Sequence, residues 1–89
     1  MTTVAAASAA LERLAAALEP KEFITVLVTR TGRRPRLTVA SRRTQATEDI
    51  YADDWFWWSW AERIAPVSDP MTAAHQVTTL LRPPEGERP

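Results

Sequence analysis

The sequence contains no cysteine and only one histidine, His75. The first absence excludes disulfides, thiolate nucleophiles and thiolate metal sites, and an unstapled domain of this kind suits the cytoplasm. The second comes close to excluding zinc, because one imidazole cannot build a nitrogen-rich site. Glycine is nearly absent as well, at two residues, so no glycine-rich loop is available to cradle a phosphate chain. There is no net charge either, with 11 Lys+Arg against 11 Asp+Glu. That balance argues against a generic polyanion binder, which is usually basic overall. No run approaches the roughly 18 apolar residues of a membrane span. Residues 1–10 are alanine-rich but lack the positively charged and strongly apolar regions of a signal peptide. These absences point to a cytoplasmic protein away from the membrane, and no cofactor or metal is expected.

What is present fits one small domain over residues 1–82 followed by a tail. A chain of 89 residues buries only about 60–65% of its unfolded surface, so its core is thin and a partner subunit would supplement it. Between Thr3 and Leu18, the residues Val4, Ala7, Leu11, Leu14, Ala15 and Leu18 recur at spacings of three and four, which predicts a helix that Pro20 then stops. Glu22 to Arg30 is rich in β-branched and apolar residues on both faces, which predicts a strand central in its sheet. Thr31 to Pro35 reads as a turn, with Gly32 supplying a positive φ, and Arg36 to Ser41 returns with Leu37 and Val39 pointing inward.

Arg42 to Thr47 reads as a loop. Ile50 and Tyr51 begin a third strand, Ala52, Asp53 and Asp54 form a turn or bulge, and Trp55 to Ala61 continues extended. A helix over the last segment is the weaker reading, since its crowded aromatics suit a sheet. Alternation places Trp55, Trp57 and Ser59 on one face and Phe56, Trp58 and Trp60 on the other, beneath the helices. Asp69 and Pro70 open a second helix, with Met71, Ala74, Val77, Thr78 and Leu81 as its apolar stripe, and Pro83 and Pro84 end it. Residues 83–89 are proline-rich and predicted to be disordered.

The resulting order, αβββα, predicts an α+β two-layer sandwich: a three-stranded antiparallel sheet, four-stranded if the third strand is split, covered by N- and C-terminal helices. The double-stranded RNA-binding domain has the same order of elements, which is an analogy of fold alone.

The segments Pro35-Arg36-Leu37-Thr38-Val39, Glu48-Asp49-Ile50-Tyr51 and Trp55-Phe56-Trp57-Trp58-Ser59-Trp60-Ala61-Glu62-Arg63-Ile64-Ala65-Pro66 resemble small actinobacterial proteins of the Streptomyces type. The resemblance implies a cytosolic protein, often encoded beside helix-turn-helix regulators. It implies no activity and transfers no functional residue.

Two constellations carry chemistry. Arg30, Arg33, Arg34, Arg36, Arg42 and Arg43 occupy a window, residues 30–43, that holds no acid. Such guanidinium groups can grip phosphates or carboxylates bidentately. The plainer alternative is a solvated hairpin whose arginines pair with Glu48, Asp49, Asp53 and Asp54. Trp55 and Trp57, left on the sheet face away from the helices, would form an apolar patch of the kind that marks an interaction site. They suit a protein interface, a homodimer above all, or a stacking platform for single-stranded bases.

Catalysis has the least support. Glu48, Asp49, Asp53, Asp54, Glu62 and His75 match no calcium loop and accompany no nucleophile motif. The sequence therefore predicts a non-catalytic protein-interaction module, with a homodimer, and a transcriptional regulator as partner by resemblance only. The alternative is a nucleic-acid-binding module that uses the same arginines and outward aromatics.

Overall fold

The computed structural model describes residues 3–82. The tail expected over residues 83–89 lies outside them. The elements run α1 (Val4–Ala17), β1 (Phe23–Val28), β2 (Arg36–Ser41), β3 (Thr47–Ala52), β4 (Trp55–Trp58), β5 (Arg63–Pro66) and α2 (Pro70–Leu81). The α+β class is as the sequence predicts, but the sheet has five antiparallel strands in the order β1-β2-β3-β4-β5. The parallel with the double-stranded RNA-binding domain therefore fails at the level of topology.

Both helices form where their caps dictate. The Thr3 hydroxyl accepts from the Ala6 amide at 3.0 Å, and the Asp69 carboxylate accepts from the Thr72 amide at 3.2 Å. Each side chain satisfies a first-turn donor that the helix itself leaves unpaired. Pro70 follows at the first helical position, where its missing N–H costs nothing. α1 packs over β1, β2 and β3, α2 packs over β5, and the helices pack on each other. Half of their buried residues are alanine, Ala7 and Ala10 on α1 and Ala73 and Ala74 on α2, small side chains that permit close approach. The expected stripes hold in their middles and fail at their N-terminal ends, where Val4 and Met71 stand in solvent.

One core lies between helices and sheet. Leu11, Leu14, Leu37, Val39, Ile50, Phe56 and Val77 are essentially sealed from solvent. They come from α1, β2, β3, β4 and α2, so a single apolar cluster ties the layers together.

Four features depart from the sequence reading. β1 is an edge strand, not a central one, and its second apolar face, Ile24 and Val26, lies in water at 46% and 52% exposure. The stretch expected to stay extended to Ala61 ends at Trp58, because Ala61 adopts a left-handed conformation (φ 67°). There the Ala61 amide donates to the Trp58 carbonyl at 3.0 Å and the Trp58 amide to the Glu62 carbonyl at 2.9 Å. This is a three-residue hairpin loop closed by a left-handed residue.

The turn generates β5, which the sequence reading lacked. A bulge opposite Phe56 and Trp57 lets the consecutive residues Ile64 and Ala65 both enter the core. Trp60, expected beneath the helices, is displaced by this turn to 47% exposure and stacks on Trp58, with ring centroids 5.0 Å apart and planes 7° from parallel.

Candidate functional site

Because both helices cover one side of the sheet, the other side is open. Strand alternation brings to it Ile24, Val26 and Val28 from β1, Arg36, Thr38 and Ala40 from β2, Asp49 and Tyr51 from β3, Trp55 and Trp57 from β4, and Arg63 from β5. Trp55 and Trp57 thus lie on the face the sequence predicts. They are half-buried there, not bare rings in water. The Arg63 guanidinium sits over the Trp55 ring, 4.7 Å from its centroid. The Trp57 indole N–H donates to the Asp53 carboxylate at 2.8 Å.

Asp53 organises this end of the face. The same oxygen, Oδ1, also accepts from the Trp55 amide at 2.9 Å. Its carboxyl is held below the ordinary value chiefly by that amide, with help from the Trp57 indole, the Asp54 amide and the charge of Arg34, while partial burial opposes them. The aspartates do form the expected turn, and one of them also fixes a tryptophan. Asp49 is engaged in cross-strand pairing, accepting from the Thr38 hydroxyl at 2.7 Å.

The arginines divide into two groups. Arg42 and Arg43 lie at the β2–β3 turn, and the Arg42 Nε–H donates to the Pro20 carbonyl at 3.0 Å, which gives Arg42 a structural role. That turn is further held by the buried Ser41 hydroxyl, which accepts from the amides of Arg43 and Thr44. The six arginines therefore do not form one cluster. The other four do converge: Arg30, Arg33, Arg34 and Arg36, with Val28, Gly32 and Tyr51, line an open hollow of about 450 Å³ beside the β1–β2 turn. Among the described residues no carboxylate lines it, while Asp53 lines the adjoining hollow that Arg30, Arg33 and Arg34 share.

Within the hollow, the Arg33 amide donates to the Arg30 carbonyl at 3.1 Å, and Gly32 takes the left-handed φ of 76° that the turn requires. The Arg34 guanidinium lies 5.4 Å from the centre of the Tyr51 ring. Arg36 is half-buried, and its Nε is sealed from solvent without a hydrogen-bond partner. A buried donor left unpaired costs about 1–3 kcal/mol.

Tyr51 and Arg63 are the residues that sequence reasoning missed. Tyr51 pairs directly with Trp57 across β3 and β4, and the alternation from Asp49 could have placed it on the open face. Arg63 could not have been placed, since its strand was not foreseen. Among the described residues, no group of three or more His, Asp or Glu side chains is arranged to hold a metal ion. His75 is exposed on α2, as its position off the apolar stripe predicts. No described helix is long and apolar enough to cross a membrane. The chain matches no family model, no curated protein and no solved structure.

Proposed function

We propose that this is a non-catalytic, cytoplasmic interaction protein that self-associates and presents the open face of its sheet to a protein partner. The observation that carries self-association is the contrast between the two sheet edges. β5 is short, starts at Arg63 and ends at Pro66, so charge and proline blunt it. β1 has the sequence FITVLV, without charge, proline or glycine. Such an edge is a template for another strand.

Its hydrogen-bonding phase follows from two bonds. The Arg42 amide donates to the Glu22 carbonyl at 2.8 Å, and the Ser41 amide to the Ala46 carbonyl at 2.9 Å. Alternation from these directs the backbone groups of Ile24, Val26 and Val28 toward β2 and those of Thr25 and Leu27 toward the free edge. A second copy, related by a twofold axis at Val26, would pair Thr25 of each protomer with Leu27 of the other and join Ile24, Val26 and Val28 into one apolar strip. Trp55 and Trp57 offer a second copy less, since their polar and aromatic groups are engaged within the chain.

Light scattering across concentration tests this reading. Thr25→Pro removes an N–H that faces away from β2 and should dissociate the dimer without unfolding the chain. A wild-type monomer at every concentration overturns self-association. A dimer lost in Trp57→Ala but kept in Thr25→Pro moves the contact to the tryptophans.

The partner's chemistry is supported by the basic and aromatic character of the open face, which suits an acidic protein surface. The resemblance to proteins encoded beside helix-turn-helix regulators supports a transcriptional regulator. The second reading, nucleic acid, is favoured by the Tyr51–Trp57 pair lying next to the arginine hollow. Steep loss of oligonucleotide affinity with salt, abolished by replacing Arg33 and Arg34 with alanine, would support it over a protein partner.

A further inference from the structure

Beyond that reading, we propose that the hollow at the β1–β2 turn is a binding site for a small phosphate-bearing anion with more than one negative charge. Four arginines, Arg30, Arg33, Arg34 and Arg36, line one hollow with no acid among the described residues of its walls. Like charges gathered around one hollow repel one another, and an anion between them eases the repulsion. Asp53 lines the adjoining hollow with Arg30, Arg33 and Arg34 and feels the charge of Arg34, so it offsets part of this charge from outside the hollow.

The arginines point to the chemistry of the ligand, since planar guanidinium groups pair side-on with phosphate through two parallel N–H donors. The Arg34 guanidinium lies against the Tyr51 ring, and the turn hydrogen bond joins the backbones of Arg30 and Arg33, whose side chains are exposed. The volume of the hollow, about 450 Å³, lies within the range of small-molecule pockets and exceeds what one monatomic ion needs. That favours a diphosphate-sized ligand over a halide.

The test is calorimetric titration of the full chain with inorganic pyrophosphate at constant ionic strength, beside citrate and a single-stranded oligonucleotide. Saturable one-to-one binding of pyrophosphate is expected. Arg36→Lys keeps the charge and deletes the planar donor fork, and should weaken binding by about tenfold or more, as should the exposed Arg34→Gln. Arg43→Gln, at the opposite turn, should leave affinity unchanged. Thermal melts of each variant establish that it is folded, and Arg34→Gln keeps the proposal testable if Arg36→Lys does not fold.

Absence of saturable binding, or equal losses in Arg34→Gln and Arg43→Gln, would show diffuse charge and overturn the site. Citrate binding as tightly as pyrophosphate would overturn the phosphate assignment. Tighter oligonucleotide binding that is lost in Trp57→Ala would make the surface a strand-binding face instead.

Discussion

A single oxygen of Asp53 receives both the indole N–H of Trp57, at 2.8 Å, and the backbone N–H of Trp55, at 2.9 Å. The turn between β3 and β4 and the orientation of a half-buried tryptophan on the open face thus depend on one carboxylate. Asp53→Ala should lower stability by about 1–3 kcal/mol, because it strands the indole donor as well as opening the turn. Asp53→Asn, which keeps an acceptor and loses the charge, should lose less. Urea denaturation measures both, and the Trp57 indole proton shift in NMR should move more in the alanine variant.

Acid should act through the same residue. The Asp53 carboxyl is lowered from its ordinary 3.8 in the folded state, so its contribution is fully present above that value and disappears as pH falls through the folded one. Asp69, lowered by the hydroxyl and then the amide of Thr72, titrates with the same sign. Stability measured from about pH 6 down to about pH 2 should fall on the acid side. The fall should be shallower in Asp53→Ala, and an unchanged slope would contradict this account.

Ala61 carries a φ of 67°, a conformation in which a side chain is strained and glycine is not. Ala61→Gly is therefore expected to stabilise the chain by about 0.5–1 kcal/mol, as a higher melting temperature. Ala61→Val at the same position should destabilise it, since a β-branched side chain fits a left-handed conformation worst.

The thin core leaves little tolerance. Phe56 is wholly buried, and Phe56→Ala should cost about 3–5 kcal/mol, enough to unfold much of the population of so small a domain. Met71→Gln, on the exposed end of α2, should stay within about 0.5 kcal/mol of wild type. Circular dichroism melts of the two separate the buried positions from the exposed ones.

Much of this architecture could be read from local chemistry. Asp69-Pro70 marked the start of α2, Gly32 marked its turn, and strict alternation placed Leu37, Val39, Phe56 and Trp58 inward. What escaped was non-local or broke a local preference. Ala61 has no preference for a left-handed turn, so neither the turn nor β5 behind it was visible. The apolar character of both faces of β1 suggests a central strand, yet it lies at an edge, because the second face stays uncovered. The two side-chain groups differ for a related reason. Trp55 and Trp57 share a strand, so pleating alone put them on one face. The arginines span a hairpin, and only its length, with β2 running from Arg36 to Ser41, separates Arg42 and Arg43 from the rest.

The strand order has a kinetic consequence. Each strand pairs with the one next to it in the chain, β1-β2-β3-β4-β5, so the sheet can be assembled from successive hairpins with short loops to close. Only the docking of α1 against α2 brings the two ends of the domain together. A meander of this kind has low contact order for a five-stranded protein and should refold within about milliseconds. The joining of the terminal helices closes the longest loop, so it should complete the process, and stopped-flow amplitudes for the tryptophans of β4 should precede the last gain in helical signal.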